Sequence, residues 1–164
     1  MSALTKASPR SERGSSPGNN FTYWSALPVK GDVKIYNGAM VGILGGLVQP
    51  VTQDADMIVL GCYSIATAYP GGNDAPDPHV ETFDTTGLED GAKAIDKIKR
   101  GIFRIPISAD DPVTIADVGK VVYAEDDNTI ALSSGLVDPV NPKAGILYDV
   151  VGSFADVVLG ELPL

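Results

Sequence analysis

Apolar and polar residues alternate along the segment GIFRIPI, which begins at Gly101. Phe103, Ile105 and Ile107 occupy every second position. Because successive side chains of a strand point to opposite faces, this period of two predicts a strand whose apolar side chains enter the core. Proline donates no ladder hydrogen bond, so Pro106 indicates either an edge strand or the end of a strand.

The residues after this strand predict a turn, a hairpin and a further strand. Thr114 can cap a helical turn in PVTIADVGK, and Gly119 can end that turn with a positive φ. The β-forming runs KVVYA and TIALS flank a short acidic connection from Glu125 to Asn128, which is a hairpin signal. The run AGILYDVVG, rich in β formers, predicts the last strand of this stretch.

The N-terminal half holds several short apolar runs. Asn37-Gly38 lies between two of them, and Asn-Gly predicts a two-residue hairpin because both positions tolerate positive φ. Gly45-Gly46 suits a bend, a bulge or a close approach of backbones. The longest apolar run, DMIVLGCYSIATAY from Asp56, does not alternate, which predicts a strand that is buried on both faces or passes through a barrel wall. A buried helix is the competing interpretation of that run.

Two segments in the middle of the chain are harder to interpret. Residues Pro70–Gly91 predict a long exposed loop that contributes to an interface, although carboxylates around His79 also allow a metal site there. Residues Ala92–Arg100 fit helical spacing, but their direct continuation into GIFRIPI favours a charged strand. The tail VGSFADVVLGELPL predicts an apolar strand followed by a C-terminus that is tucked in.

Many short apolar runs separated by turn residues predict an all-β fold, a barrel or a sandwich. The chain has 164 residues, with 18 glycines and 12 prolines, and this length suits one domain with a substantial core. We expect residues 1–24 to form an N-terminal arm that is extended or disordered when alone, and residues 25–164 to form a single domain.

The N-terminal arm differs from the rest of the chain in composition and charge. Residues 1–20 are rich in Ser, Gly, Pro and Asn, and three basic residues against one Glu give them a charge of about +2. The total is −9, which leaves about −11 for the remainder. We predict that the arm binds a partner protein, with aromatic anchors at its end; the aromatic residues can equally pack on the domain itself. The predicted partner-binding residues are Lys6, Arg10, Arg13, Phe21, Tyr23 and Trp24.

The sequence does not predict an active site. The single cysteine, Cys62, lies in an apolar run and reads as a small buried hydrophobe. The pairs Asp110-Asp111 and Asp126-Asp127 lie at predicted turns, where Asp forms local backbone hydrogen bonds. We therefore expect no catalytic residue, no cofactor and no metal. We also expect no membrane span and, because the body is acidic, no binding to nucleic acid.

The segments GIFRIPIS, TIADVGKVVYAEDDNTIALSSG and AGILYDVV, taken in this order, resemble the capsid cement, or decoration, proteins of tailed bacteriophages. Residues 101–151 carry the sequence likeness, and the earlier segment KGDVKIYNGAMVG is similar to the opening of that family. These motifs are strands and turns rather than chemical groups. The Pro70–Gly91 loop departs from the pattern.

The resemblance implies a small β-barrel or β-tulip domain, jelly-roll-like, that forms homotrimers. Such trimers lie on the exterior of the icosahedral capsid, in virions assembled in the bacterial cytoplasm. They bind the major capsid protein and staple adjacent subunits against the pressure of packed DNA, and an N-terminal arm commonly reaches over neighbours. Two alternatives stay open: another β-rich phage part, such as a head fibre base or tail tube subunit, and a trimeric β-barrel nucleotide hydrolase.

Overall fold

The computed structural model describes residues 26–63, 82–135 and 140–160. Within these ranges the chain is all-β, as predicted, with one short 3-10 turn at Ile115–Asp117. The strands are β1 (Leu27–Pro28), β2 (Lys34–Tyr36), β3 (Met40–Leu44), β4 (Leu47–Pro50), β5 (Ile58–Tyr63), β6 (Thr82–Asp84), β7 (Ala94–Ile95), β8 (Ile98–Lys99), β9 (Gly101–Pro106), β10 (Val121–Ala124), β11 (Ile130–Ala131), β12 (Lys143–Val151) and β13 (Phe154–Leu159).

Five strands form an antiparallel sheet in the order β11-β10-β12-β13-β9. This sheet curls into a half-barrel: Ile107, just beyond β9, bridges Ile130 on β11, and the Ser108 amide donates to the Ile130 carbonyl at 2.8 Å. The strand predicted for GIFRIPI is confirmed as β9, with Phe103 buried on the inner face. Pro106 is the last residue of β9, and β9 is the last strand in the order, so both expectations for this proline are confirmed.

A second antiparallel sheet, in the order β4-β3-β5-β8, packs against the concave face of the first. The main hydrophobic core lies between the two sheets. Its largest fully buried members are Met40 from the smaller sheet and Phe103, Ile105, Ile130, Leu147 and Leu159 from the larger one.

The opposite face of the four-stranded sheet is also covered. There a second core forms under two small pairs, β1 with β7 and β2 with β6. The four-stranded sheet is therefore a buried middle layer. The residues of the second core include Val29, Ile35, Val41, Val48, Leu60, Tyr63, Ile95 and Ile98.

Strand β5, within the part of the longest apolar run that the structure describes, is buried on both faces as predicted, and over these residues the competing helix is wrong; residues 64–69 of the run lie outside the described chain. Val59 and Cys62 enter the main core, whereas Leu60 and Tyr63 enter the second core. The register of β5 against β3 shifts by one residue between the pairs Val41–Gly61 and Gly42–Val59. Such a bulge explains why the run does not alternate.

One predicted hairpin is wrong, and a different turn takes its place. Asn37-Gly38 forms a turn, with Gly38 at φ 93°, but β2 on one side pairs with β6 and β3 on the other pairs with β4 and β5. The hairpin lies instead at Gly45-Gly46, where both residues have positive φ (59° and 85°) and Leu44 pairs with Leu47. Positive φ at both central positions is the requirement of a type I′ turn. Turn propensity is local, whereas pairing depends on which core each strand reaches.

The strand predictions for the segments KVVYA, TIALS and AGILYDVVG, in the second half of the chain, are confirmed. KVVYA and TIALS form the antiparallel pair β10 and β11, and AGILYDVVG forms β12. Residues Ala92–Arg100 are extended rather than helical, but they form two short strands, β7 and β8, in different sheets instead of one strand continuous with β9. Part of the predicted Pro70–Gly91 loop, Thr82–Asp84, is instead the strand β6; residues 64–81 lie outside the described part of the chain.

The two termini are described only in part. The C-terminal strand is confirmed as β13, and residues 161–164 lie outside the described residues. The predicted N-terminal arm, residues 1–24, also lies outside them, and the description begins at Ala26.

Candidate interaction surface

Exposed apolar side chains concentrate around the β12–β13 hairpin. Most of the large hydrophobic residues that are exposed in the described part of the chain lie either on this hairpin or at the 3-10 turn beside it. Contiguous exposed apolar area marks sites of protein–protein contact more often than isolated apolar residues do. We call these residues the hairpin surface: Ile115, Val118, Tyr148, Val151 and Phe154.

The tip of the hairpin brings two of these side chains together. Val151 and Phe154 are directly opposite each other, joined by Gly152-Ser153. Gly152 has φ 63° as the first central residue, which is the position where a type II′ turn requires glycine. Opposite residues of an antiparallel pair have Cβ atoms roughly 5 Å apart, so the two apolar side chains adjoin.

The 3-10 turn is attached to the middle of β12. The Gly119 amide donates to the Leu147 carbonyl at 2.8 Å, and the Leu147 amide donates to the Lys120 carbonyl at 3.0 Å. Tyr148, the next residue, has no direct partner on β13 because the register shifts there. This bulge turns Tyr148 outward, where 57% of its surface is exposed. The turn and the bulged tyrosine therefore extend the hairpin surface along β12.

A buried ion pair lies on the same outer face of the sheet. Arg104 on β9 and Asp156 on β13 are cross-strand partners. Arg104 donates through Nε to Oδ1 at 2.9 Å and through Nη2 to Oδ2 at 3.1 Å, and Asp156 has no exposed surface. The hydrogen bond that Arg104 donates to Asp156 raises the pKa of Arg104 above its usual value; desolvation opposes this shift, and the charges of Asp156 and Asp149 add to it. The carboxylate beneath the hairpin surface is thereby neutralised locally.

The 3-10 turn is held by a second carboxylate, Asp117. Its Oδ2 accepts from the amide and the hydroxyl of Thr114 at 2.9 and 2.7 Å, and its Oδ1 accepts from Lys120 Nζ at 2.8 Å. The hydrogen bond from Lys120, followed by those from Thr114, lowers the pKa of Asp117 to about 2. The predicted cap at Thr114 is thus confirmed in position, although Thr114 donates and Asp117 accepts. Gly119, at φ 86°, ends the turn as predicted.

The partner-binding residues predicted from sequence cannot be placed relative to this surface, because they all lie outside the described residues: Lys6, Arg10, Arg13, Phe21, Tyr23 and Trp24.

Of the candidate acidic residues that the structure describes, Asp111 and Asp126 lie in turns and Asp84 ends strand β6. Asp111 Oδ2 accepts from the amide and hydroxyl of Ser133, and Asp126 Oδ1 accepts from the Asn128 amide at 2.8 Å. Asp84 lies 3.4 Å from Lys34 Nζ in an exposed ion pair. Residues 26–63, 82–135 and 140–160 contain no group of His, Cys, Asp or Glu side chains arranged for a metal. His79 is outside these ranges.

Sequence reasoning missed the hairpin surface. A Gly-Ser pair between apolar runs at Gly152-Ser153 is a hairpin signal, and Asp156 is a charged residue within an otherwise apolar strand. Together these two features predict a hairpin with a charged residue on one face of an otherwise apolar strand. The position of the 3-10 turn beside it depends on hydrogen bonds between residues almost thirty positions apart, which no local pattern encodes.

Comparisons of this chain with protein-family models, with curated proteins and with solved structures each found no match. Among the described residues, no helix is long and apolar enough to cross a membrane.

Proposed function

We propose that this protein is a structural virion component that decorates the outside of a mature tailed-phage head. In this proposal it acts without catalysis, as a homotrimer that binds the major capsid protein and staples adjacent subunits. The observation that supports the proposal most is the resemblance of residues 101–151 to phage cement proteins. Those residues supply β9, β10, β11 and β12, which are four of the five strands of the curled sheet.

The hairpin surface supplies the contact between the three copies. Residues beyond the arm carry a net charge of about −11, so three bodies repel each other unless they meet through uncharged surface. The exposed members of the hairpin surface are apolar, and Arg104 pairs with the carboxylate of Asp156 beneath them; Asp149, opposite Asp156, is a second carboxylate on this face. Aromatic residues such as Tyr148 and Phe154 are enriched at the centres of protein interfaces.

The N-terminal arm supplies the contact with the capsid. Its basic residues, Lys6, Arg10 and Arg13, oppose the sign of the body and suit an acidic surface on a neighbouring protein. One arm binds weakly by itself. Three arms on one trimer convert the second and third contacts into intramolecular events, and this avidity makes a weak contact durable.

A pelleting experiment with purified mature heads tests this function. The intact protein should sediment with heads, whereas the protein without residues 1–20 should remain a folded trimer in the supernatant. A Lys6→Glu/Arg10→Glu/Arg13→Glu variant keeps the length of the arm and reverses its charge, and it should also be lost from the pellet. If the intact protein fails to bind heads, the decoration role is wrong. If the shortened protein binds heads as well as the intact one, the arm has another task.

An antibody against this chain can locate it on whole virions. Labelling of the head in electron micrographs supports decoration. Labelling of the tail instead identifies a tail tube subunit and overturns the proposal.

A further inference from the structure

Strand β9 lies at one end of the five-stranded sheet, and one of its two edges pairs with β13. Just beyond β9, the Ile107 amide donates to the Ser153 carbonyl at 3.0 Å and so points toward the β13 side. In an antiparallel pair, the backbone groups of successive residues point alternately toward the partner strand and away from it. Every second residue of β9, counted back from Ile107, therefore turns its N–H and C=O groups toward β13. We call the other edge the open edge of β9, and its backbone groups belong to Ile102, Arg104 and Pro106.

The position of a glycine on β12 supports this assignment independently. A Cβ atom added at Gly145 would collide with the carbonyl oxygen of Val158, so this carbonyl points from β13 toward β12. Val158 is the direct partner of Ile102 on β9. Because the backbone groups of Val158 face β12, those of Ile102 are not bonded to β13 and face the open edge.

The open edge forms no backbone hydrogen bond with any described residue, and its residues are each partly exposed. The edge strand at the other end of the sheet, β11, differs in this respect. There the Ile130 carbonyl accepts from the Ser108 amide at 2.8 Å, and the Leu132 amide donates to the Asp111 carbonyl at 3.2 Å. A row of unpaired N–H and C=O groups on a strand edge is a template with which an extended chain can pair.

Proline and charged side chains commonly protect a strand edge from pairing, but both leave this edge accessible. Pro106 is the last residue of β9, so it removes one donor and leaves the N–H groups of Ile102 and Arg104 in place. The guanidinium of Arg104 is bound to Asp156 on β13 by hydrogen bonds of 2.9 and 3.1 Å. The charge of Arg104 is therefore directed toward β13 rather than toward a strand approaching the open edge.

The side chains beside the open edge define the strand that fits it. On the outer face of the sheet the apolar residues Ile102 and Pro106 flank Arg104, and the inner face of β9 belongs to the main core. Because opposite residues of paired strands lie on the same face, a fitting strand is apolar at most positions. The position opposite Arg104 suits an uncharged residue that forms hydrogen bonds, since Asp156 and Asp149 already supply two carboxylates to this face.

We propose that the open edge of β9 binds an extended, uncharged and mostly apolar segment of another protein, which adds to the five-stranded sheet as a further strand. An antiparallel segment centred opposite Arg104 accepts hydrogen bonds from the N–H groups of Ile102 and Arg104 and donates to the carbonyls of the edge. The main-chain hydrogen bonds provide the pairing, and the side chains of the segment provide the selectivity. The decoration role is not a premise of this inference, because the isolated protein and a synthetic peptide suffice to test it.

Hydrogen exchange at single amides reports directly on this pairing. In the free protein we expect the amides of Ile102 and Arg104 to exchange about tenfold or more faster than those of Phe103 and Ile105, because only the latter are hydrogen-bonded. A saturating amount of the blocked peptide acetyl-VATVV-amide should slow the exchange at Ile102 and Arg104 by about tenfold or more. The same peptide with N-methyl groups on its first, third and fifth residues has no donors for the edge and should give no protection.

Ile102→Pro removes one donor of the edge and should weaken peptide binding by about five- to tenfold, the effect of one hydrogen bond, whereas the control Ile102→Val should bind like the wild type. If circular dichroism shows that Ile102→Pro is unfolded, the N-methylated peptide carries the test. Slow exchange at Ile102 and Arg104 without peptide overturns the proposal, because the edge is then already paired. Absence of protection by the peptide, or equal protection by its N-methylated form, also overturns it. Protection that increases with protein concentration alone shows that two copies pair through this edge and overturns the binding of a foreign segment.

Discussion

Arg104 and Asp156 face each other across β9 and β13, joined by two hydrogen bonds, with the carboxylate of Asp156 fully buried. Removing one partner leaves a charge without compensation, whereas removing both leaves none. We therefore expect Arg104→Leu to lower the melting temperature by several degrees, and Arg104→Leu/Asp156→Leu to recover much of that loss. Thermal unfolding followed by circular dichroism measures both.

The exposed ion pair between Lys34 and Asp84 is the control for this comparison. These side chains are about half exposed and 3.4 Å apart, and exposed pairs contribute little to stability. Lys34→Leu should leave the melting temperature almost unchanged. A loss as large as that of Arg104→Leu would show that positive charge in general, rather than this buried pair, stabilises the protein.

Gly61 allows β5 to approach β8. A Cβ atom at this position would collide with the carbonyl oxygen of Lys99, and the φ of 146° is itself rare for other residues. We expect Gly61→Ala to lower the free energy of unfolding by about 2 kcal/mol or more, within the range for overpacked interiors. Urea unfolding measures this change.

Gly45→Ala is the control that separates the effect of the steric collision at Gly61 from the effect of a positive φ. Gly45 also has positive φ, but a Cβ there meets no atom within 4 Å. Its substitution should cost about 1 kcal/mol, from the turn conformation alone. Equal losses at Gly45 and Gly61 would contradict the close approach of β5 and β8.

The acid stability of the protein should depend on Asp117. Its pKa lies at about 2, below the usual 3.8, chiefly because of hydrogen bonds from Lys120 and Thr114. A carboxyl whose pKa is lower in the folded state contributes stability that is fully present above pH 3.8 and is lost as the pH falls toward 2. Asp117→Asn should therefore show a smaller decrease in melting temperature than the wild type across this window.

Lys120→Met provides the companion measurement. It keeps the carboxyl but removes the first cause of the lowered pKa, so the acid transition should move to higher pH. If the wild type and both variants lose melting temperature over the same pH range, other carboxylates govern acid unfolding.

The hairpin surface should control oligomerisation. Val151→Ser/Phe154→Ser removes the two apolar side chains that meet at the tip, and neither change affects the main core. We expect the proposed trimer to dissociate to monomers at micromolar concentration, with the melting temperature of the monomer little changed. Sedimentation velocity measures the mass. Leu88→Ser, an exposed leucine on a distant turn (37% exposed), is the control and should remain trimeric.

If the wild type is monomeric, the proposed trimer is wrong. If the double variant remains trimeric, the trimer contact does not lie on the hairpin surface.

Local pattern predicted most of the strands in the second half of the chain. The alternation of Phe103 and Ile105 and the acidic turn between β10 and β11 are properties of adjacent residues, so they are visible in one dimension. Only part of the candidate surface could be predicted in this way. Val151 and Phe154 flank a recognisable Gly-Ser turn, but their exposure depends on the absence of a covering element among the described residues.

The sequence by itself determined the all-β class, the strand β9 with its terminal proline and the burial of β5 on both faces, because hydrophobic period and proline chemistry act over a few residues. The tertiary structure decided which turn closes a hairpin. Asn37-Gly38 has the stronger local signal for a hairpin, yet Gly45-Gly46 closes the hairpin of β3 and β4, because β2 pairs with β6 over the second core. Strand pairing is a long-range choice governed by burial, and a two-residue signal does not contain that information.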